Sequence, residues 1–218
     1  MNTNADGNRA AGFFDGYAHD FNAIYGGDNG LFNRLINRLF RQAMRVRYEK
    51  TLAGCQPVAG KTVLDVGCGP GHYGVALAQA GAAEVFGIDF APAMIEIAKR
   101  NAADAGVDGR CRFADGDFLA YPFNRKFDYV VVMGFMDYIR DAEALVRRVL
   151  DVTAGKAFFS FPADGGVLAW QRKQRYKSRC DLFMYTRPQL EALFGKLAPG
   201  RHSIESIGRD FFITVTAG

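Results

Sequence analysis

The stretch Asp65-Val-Gly-Cys-Gly-Pro-Gly-His-Tyr-Gly74 lies between an apolar run typical of a buried strand and a segment with helical periodicity. Its last six residues match the pattern G-x-G-x-x-G, in which glycines allow a tight turn and a close approach of the backbone to a ligand. Asp89 ends the next predicted strand, twenty residues after Gly69, where a carboxylate could bind both hydroxyls of a ribose. The loop therefore predicts a cofactor site, and these features alone do not distinguish between ribose-containing cofactors.

Short apolar runs alternate with segments of helical periodicity from residue 62 onward. This alternation is typical of an α/β fold, with a doubly wound, mostly parallel sheet and helices on both faces. The last two runs are joined by three residues, too few for a crossover helix, so we expect an antiparallel hairpin at or near one edge. The sequence thus predicts a seven-stranded sheet with an antiparallel C-terminal strand. Its predicted strands are Thr62–Val66, Glu84–Ile88, Arg110–Ala114, Phe127–Met133, Lys156–Phe161, Ser203–Ile207 and Phe211–Thr216.

The composition is that of an ordinary globular chain of 218 residues, with 49% hydrophobic and 23% charged residues. No apolar run approaches the roughly 20 residues that a membrane-spanning helix needs. The four cysteines lie far apart without a Cys-x-x-Cys pair, and there are only three histidines. We therefore expect reduced thiols, a cytoplasmic location and no metal site.

Asp65 discriminates between two cofactors that the glycine loop could hold. Its carboxylate, two residues before the first glycine, would repel a pyrophosphate and attract a cationic aminoacyl-sulfonium group. The chain also lacks the Tyr-x-x-x-Lys pair that a short-chain dehydrogenase needs. These features favour S-adenosylmethionine over a nicotinamide dinucleotide. The alternative interpretation of Asp65 is a buried acid that caps the turn.

Four segments of the chain resemble the successive motifs of class I S-adenosylmethionine-dependent methyltransferases of the small-molecule type. They occur in the family's order and cover about residues 60–160. The resemblance implies a Rossmann-like, seven-stranded fold and S-adenosyl-L-methionine as the cofactor. The segments are Val63–Gly71, Gly87–Met94, Gly116–Phe118 and Phe127–Met133.

The resemblance also implies a role for individual residues in cofactor binding. Asp117 would contact the adenine amino group, and Asp115 is the alternative candidate for that role. The implied contacts are Gly67, Gly69 and Gly71 beneath the methionine portion, Asp89 on the ribose, Phe90 against the adenine, Asp117 on the adenine amino group, the Phe118 backbone at the ring edge and the Met133 carbonyl near the ammonium.

Candidate residues for the acceptor side lie in three places, and one of them is His72 within the cofactor loop, for which the alternative is the first exposed residue of the helix. Residues 13–25 resemble the aromatic N-terminal segment that folds over the cofactor in many small-molecule methyltransferases, so Tyr17 and Tyr25 would close the pocket and His19 is a candidate base. A surface or capping role is the alternative for His19. After the fourth strand, Asp137 and Tyr138 stand where related enzymes carry an acid and a histidine facing the acceptor. A hydroxyl acceptor would gain from such a base, whereas an amine needs only to be unprotonated.

The elements divide the chain into three regions. We expect a flexible tail over residues 1–12, an N-terminal helical lid over residues 13–55, and a methyltransferase domain over residues 56–218. An acceptor-side insertion is expected near residues 163–186.

The positive charge is concentrated in two segments. Residues 31–50 contain six basic residues and one acid, at helical spacing with an apolar face, and residues 170–180 contain five basic residues and no acid. Solvated arginines on a lid helix explain the first segment most simply. Two basic elements beside one pocket favour an anionic acceptor and a peripheral contact with a membrane surface.

The function that the sequence predicts is methyl transfer to a hydroxyl, or an amine, of a small-molecule acceptor such as an anionic or lipid-linked sugar. A quinone or tetrapyrrole precursor is the alternative acceptor. Alternatives of another class are a non-catalytic S-adenosylmethionine-binding subunit and a nicotinamide-dependent oxidoreductase. No nucleic-acid partner is expected, because the sequence has neither an Asn-Pro-Pro-Tyr-like base-flipping loop nor an appended RNA-binding module.

Overall fold

The computed structural model describes residues 31–165 and 182–218, with side chains from residue 42 onward. Within these ranges a single sheet of seven strands runs through the molecule. The strands are β1 (Thr62–Val66), β2 (Glu84–Asp89), β3 (Cys111–Asp115), β4 (Phe127–Val132), β5 (Thr153–Pro162), β6 (His202–Ile207) and β7 (Asp210–Thr216).

Five α-helices accompany the sheet in the described part of the chain. Two short 3-10 helices, Asp108–Arg110 and Met136–Tyr138, precede β3 and follow β4. None of these described helices has both the length and the apolar character needed to cross a membrane. The α-helices are α1 (Leu31–Gly54), α2 (His72–Gln79), α3 (Pro92–Asp104), α4 (Ala142–Asp151) and α5 (Arg187–Leu197).

The strand order is β3-β2-β1-β4-β5-β7-β6. Strands β1 to β5 pair in parallel, and β7 is antiparallel to both β5 and β6. The predicted doubly wound sheet, with its antiparallel C-terminal strand and terminal hairpin, is therefore confirmed.

Alternating side chains of the central strands build a core on each face of the sheet. On β1, Leu64 packs into a cluster that includes residues of α4 and α5, whereas Val63 packs into one that includes residues of α2. Val46 and Leu52 of α1 cover the second cluster. Helices thus lie on both faces, because each strand of the centre is apolar on both sides.

The predicted start of β5 is wrong by three residues. The strand begins at Thr153, and Gly155 lies so close to β4 that a Cβ atom there would be 2.5 Å from the Asp128 carbonyl oxygen. The pairing of β4 with β5 shifts register at this point, between Phe127 and Tyr129. Gly155 therefore permits a close approach of two strands, although a glycine in this context resembles a turn signal.

Candidate cofactor and acceptor site

The candidate site lies at the carboxyl ends of β1, β2 and β4. Strand β1 has β2 on one side and β4 on the other, so the chain order reverses between β1 and β4. In doubly wound sheets ligands bind outside the carboxyl ends of the strands at such a switch point. The glycine loop after β1 and the loop after β4 both lie there.

The glycine loop is fixed to the end of β2. The backbone N–H groups of Gly67 and Cys68 both donate to the Ile88 carbonyl oxygen, at 2.8 and 3.1 Å. Gly67, Gly69 and Gly71 all have positive φ, at 65°, 50° and 78°. Such angles disfavour residues with a side chain, so the loop needs glycine at all three positions.

The three glycines differ in what surrounds them. A Cβ atom at Gly67 would collide with the ring of Phe135, and one at Gly71 would lie 3.0 and 3.1 Å from side-chain atoms of Ala98 and Phe113. A Cβ atom at Gly69 would have no heavy atom within 4 Å. Gly67 and Gly71 therefore serve packing within the protein, while Gly69 faces open space that a ligand could occupy.

Asp89 joins the glycine loop to the start of α3. Its Oδ2 accepts a hydrogen bond from the Gly69 N–H at 2.9 Å, and its Oδ1 accepts one from the Ala91 N–H at 3.0 Å. The Asp89 backbone carbonyl accepts from the Gly116 N–H, which ties the end of β3 to the same point. A carboxylate offers about four lone pairs and can accept several hydrogen bonds at once, as binding to ribose hydroxyls requires.

Asp65 lies beneath the loop, where only 1% of the residue is exposed. Its Oδ2 accepts from the Gly74 N–H at 3.2 Å, and Gly74 is in the first turn of α2. Burial raises the pKa of Asp65 to about 7, and the charge of Asp89 adds to the rise. This geometry is that of a buried acid capping the turn, so any effect of its charge on a ligand would act across the loop.

The predicted adenine side combines an aromatic pair with a turn. The ring of Phe90 lies 5.8 Å from that of Phe135, centre to centre. Asp117 is exposed, and its Oδ1 accepts from the Leu119 N–H at 2.9 Å, which makes it a turn residue. Phe118, only 3% exposed, belongs to the core beneath that turn.

The predicted acceptor side is the loop after β4. Met133 and Asp137 are buried, at 7% and 5% exposed, and Tyr138 is half-buried. The Tyr138 N–H donates to the Phe135 carbonyl, and the Asp137 carbonyl accepts from the Phe183 N–H at 2.9 Å. This loop therefore contacts both the glycine loop, through Phe135, and the chain that precedes α5.

The two ends of the predicted insertion meet beside this loop. The Asp164 N–H donates to the Tyr185 carbonyl at 2.7 Å, and the Tyr185 N–H donates to the Pro162 carbonyl at 2.9 Å. The chain thus leaves the end of β5 and returns to it at one place. Tyr17, His19, Tyr25 and the second basic segment, residues 170–180, lie outside the described residues. Of the predicted insertion, only residues 163–165 and 182–186 are described.

A partly buried arginine of α1, Arg47, is the main feature that sequence reasoning missed. The Arg47 side chain is 12% exposed, and its Nη1 lies 3.4 Å from Asp210 Oδ2 and 3.4 Å from Ser160 Oγ. Its Nε donates to the Tyr73 hydroxyl at 3.3 Å. Burial opposes the charge of Arg47, but Tyr73, Asp210 and Asp137 together more than offset this, so its pKa is raised. The only sequence signal was membership of a basic segment.

The neighbouring basic residues of α1 are also paired. Arg45 forms an exposed ion pair with Glu49 at 2.7 Å, and Lys50 forms one with Glu205 of β6 at 2.8 Å. For the side chains described from residue 42 onward, the basic residues of α1 thus have acidic partners on the protein itself. This arrangement weakens the argument from α1 for an external anionic surface.

Comparisons with known proteins find a family model that matches the central part of the chain. Residues 63–156 match the family model described as "Methyltransferase domain". The resemblance to class I methyltransferases that the sequence predicts is confirmed over this part of the chain. The matched residues carry the glycine loop, Asp89 and the loop after β4.

Curated relatives are similar over the same region. The ubiquinone biosynthesis O-methyltransferase of Pseudomonas entomophila (strain L48) is 35% identical over 105 residues, which are 47% of this chain and 45% of the relative. The protein of the same name from Methylobacterium sp. (strain 4-46) is 34% identical over 132 residues, or 59% and 51% of the two chains. The chain spans about half the length of the curated relatives it matches.

Solved structures extend the similarity of fold to almost the whole chain. Magnesium protoporphyrin IX methyltransferase from Synechocystis PCC 6803 with bound SAH has a TM-score of 0.75 at 19% identity, covering 98% of this chain and 100% of that one. The DhpI-SAH complex has a TM-score of 0.67 at 16% identity, covering 97% and 96%. At these identities the likeness shows the fold alone.

Proposed function

We propose that this protein transfers a methyl group from S-adenosylmethionine to an oxygen atom of a small-molecule acceptor. The observation that carries the proposal is the glycine loop held by Asp89 at the switch point, within the residues that match the methyltransferase domain model. When bound, S-adenosylmethionine would supply a methyl group on a positively charged sulfur: the acceptor oxygen would bond to that methyl as the sulfur–methyl bond breaks, and the hydroxyl proton would pass to a base or to water. The chain itself has to bind and orient the two reactants.

The residues present fit this cofactor. Gly69 leaves open space above the loop, Asp89 is a carboxylate at the position for ribose hydroxyls, and Phe90 with Phe135 gives an aromatic surface nearby. Structures of the same fold contain SAH. We assign cofactor binding to the predicted set Gly67, Gly69, Gly71, Asp89, Phe90, Asp117, Phe118 and Met133, with Asp65 acting beneath the loop.

The names of the relatives favour the alternative acceptor, a quinone or tetrapyrrole precursor, over the sugar that the sequence analysis predicted first. The curated relatives are named for ubiquinone biosynthesis, and a solved structure of the same fold is named for magnesium protoporphyrin IX. No relative described above is named for a sugar substrate. We therefore propose an acceptor of the quinone-precursor or tetrapyrrole-precursor kind, methylated on oxygen.

The remaining predictions about the pocket belong to this proposal. Helix α1 acts as part of the N-terminal lid, together with Tyr17 and Tyr25, and the insertion near residues 163–186 borders the acceptor. Asp137, Tyr138 and His19 stay the candidates for acceptor chemistry, without a metal. The meeting of Pro162, Asp164 and Tyr185 beside the Asp137 loop supports the place of the insertion.

An assay of product formation tests the proposed function. The protein is incubated with S-adenosylmethionine and a panel of catechols, porphyrin carboxylic acids and sugar phosphates, and S-adenosylhomocysteine is measured by mass spectrometry. We expect its formation with a catechol or a porphyrin and not with the sugar phosphates. Binding of S-adenosylhomocysteine without turnover of any acceptor would instead favour the non-catalytic subunit.

A further inference from the structure

The glycine loop is held from α3 as well as from β2. Asn101 of α3 donates a hydrogen bond from its Nδ2 to the Pro70 carbonyl oxygen at 2.8 Å, although the two residues are 31 positions apart in the sequence. A carbonyl oxygen can only accept, so the amide nitrogen of Asn101 has to face it. The segments that resemble methyltransferase motifs do not include Asn101. This side chain therefore adds a contact to the loop that the sequence did not indicate.

One face of α3 lies against the loop. Residues three positions apart lie on the same side of a helix, and Ala98, three residues before Asn101, is fully buried. A Cβ atom at Gly71 would lie 3.0 Å from the Ala98 Cβ. Helix α3 thus contacts two consecutive loop residues, Pro70 through a hydrogen bond and Gly71 through packing. The helix determines both the position of the loop and the direction of the Pro70 carbonyl.

The hydrogen bond from Asn101 fixes the peptide plane between Pro70 and Gly71. In a trans peptide the carbonyl and the N–H point in opposite directions. Here the carbonyl accepts from Asn101, and the Gly71 N–H donates to the Cys68 carbonyl oxygen at 2.9 Å. Both edges of the plane are therefore bonded. Without Asn101 the plane would be held from one side only, and Gly71, as a glycine, permits other orientations.

The position of this peptide bears on ligand binding. Gly69, directly before Pro70, faces open space, and its N–H is bonded to Asp89. Asp89 at the end of β2 and Asn101 on α3 thus hold adjacent residues of one loop from two sides. A loop that is ordered before a ligand arrives avoids the cost of ordering it on binding. The loss of either hydrogen bond should therefore weaken a ligand that lies on the loop.

We propose that Asn101 is a positioning residue for the cofactor. It holds the Pro70 carbonyl against α3 and thereby keeps the glycine loop in the form that binds the methionine portion of S-adenosylmethionine. Asn101 acts through the loop and not by touching the ligand. This inference rests on the proposed function and adds a residue of α3 to the cofactor site.

Calorimetric titration of the full chain with S-adenosylhomocysteine at pH 8 tests this role. Asn101→Asp keeps the size of the side chain but replaces the donor with a carboxylate, which cannot donate and repels the Pro70 carbonyl oxygen. We expect it to lower the affinity by about tenfold or more. Asn101→Ala only removes the hydrogen bond and should lower the affinity by about threefold to tenfold.

Two control variants separate this role from effects of charge and of stability. Ala103→Asp adds the same charge at an exposed position of α3 and should bind S-adenosylhomocysteine like the wild type. Val146→Ala shortens a fully buried side chain of α4, so it should lower the melting temperature without changing the affinity of the folded protein. A loss of affinity in either control as large as that in the corresponding Asn101 variant would overturn the inference.

Hydrogen exchange measured by NMR reports on the loop itself. In Asn101→Ala the Gly71 amide should exchange faster than in the wild type, because its peptide plane has lost one of two hydrogen bonds. The Gly74 amide, which donates to Asp65 at 3.2 Å, should keep its wild-type rate. An unchanged exchange rate at Gly71 would contradict the proposed action through the loop.

The inference and the proposed function can fail separately. A wild-type protein that does not bind S-adenosylhomocysteine contradicts the proposed function. A wild-type protein that binds S-adenosylhomocysteine, together with an Asn101→Asp variant that is folded and binds it equally well, contradicts only the inference about Asn101.

Discussion

The carboxylate of Asp89 accepts a hydrogen bond from the Gly69 N–H at 2.9 Å, so the end of β2 determines the shape of the loop that follows β1. The same carboxylate accepts from the Ala91 N–H at the start of α3. One side chain therefore connects two strands and a helix at the switch point of the sheet. A ligand that binds Asp89 would be in contact with all three elements.

The close packing of Gly67 predicts a strong effect of adding one methyl group. In Gly67→Ala, the new Cβ would collide with the Phe135 ring, and the residue would also be held at a positive φ. We expect the free energy of unfolding to fall by about 1–2 kcal/mol for the conformation and by a further 1–3 kcal/mol for the overpacking. Urea denaturation measures the loss.

Gly60 is the matched control for this substitution. It also has a positive φ, at 74°, but a Cβ there would meet no heavy atom within 4 Å. Gly60→Ala should therefore cost only the conformational part, about 1–2 kcal/mol. Equal losses in the two variants would show that Gly67 is not packed against Phe135.

Ser160 is predicted to hold the acceptor loop in place. It is 2% exposed, and its Oγ accepts from the Gly134 N–H at 2.7 Å and from Arg47 Nη1 at 3.4 Å. Ser160→Ala leaves two partly buried donors with fewer partners, so we expect a loss of about 1–3 kcal/mol and faster hydrogen exchange at the Gly134 amide. Ser206→Ala, on the exposed edge of β6, should change stability by less than about 0.5 kcal/mol. An unaltered exchange rate at Gly134 in Ser160→Ala would contradict this role.

Asp65 predicts a dependence of stability on pH. Burial raises its pKa in the folded protein to about 7, whereas an aspartate in an unfolded chain has a pKa of about 3.9. The folded state therefore holds this proton more tightly. The contribution is fully present below about pH 4 and is lost as the pH rises through about 7, with a slope of up to about 1.4 kcal/mol per pH unit.

Asp65→Asn removes this titration while keeping an oxygen that can accept from Gly74. Compared with the wild-type protein, the variant should gain relative stability between about pH 4 and about pH 7, measured by urea denaturation. Asp151→Asn, an exposed substitution at the end of α4, should follow the wild-type profile. Parallel profiles for wild type and Asp65→Asn would mean that Asp65 does not titrate in this range.

The sheet was predictable because its signals are local. Each parallel strand is a short apolar run bounded by turn residues, and the observed strands match the predicted ones to within one residue at most ends. The start of β5 was not predictable, because the role of Gly155 depends on its distance from Asp128 on another strand. The residues that neighbour Gly155 in the sequence give no signal of that contact.

The candidate site was predictable only where one motif contains it. The glycine loop and Asp89 belong to such motifs, and the structure brings them together through the Gly69 hydrogen bond. The pairing of Arg47 with Asp210 spans 163 residues, so no pattern of neighbours in the sequence could reveal it. Asp65 matches its alternative interpretation, a buried acid that caps the turn. Sequence alone could not decide this, because the burial of Asp65 depends on the packing of α2 above it.

The most direct test of the central claim is calorimetric titration of the full chain with S-adenosylhomocysteine and, separately, with NAD. We expect S-adenosylhomocysteine to bind and NAD not to bind. Asp89→Ala should reduce that binding by about tenfold or more, since it removes a carboxylate that would hold the ribose and that holds the loop, while Asp151→Asn should bind like the wild type. Binding of NAD alone, or S-adenosylhomocysteine binding that is unchanged in Asp89→Ala, would contradict the account of this site.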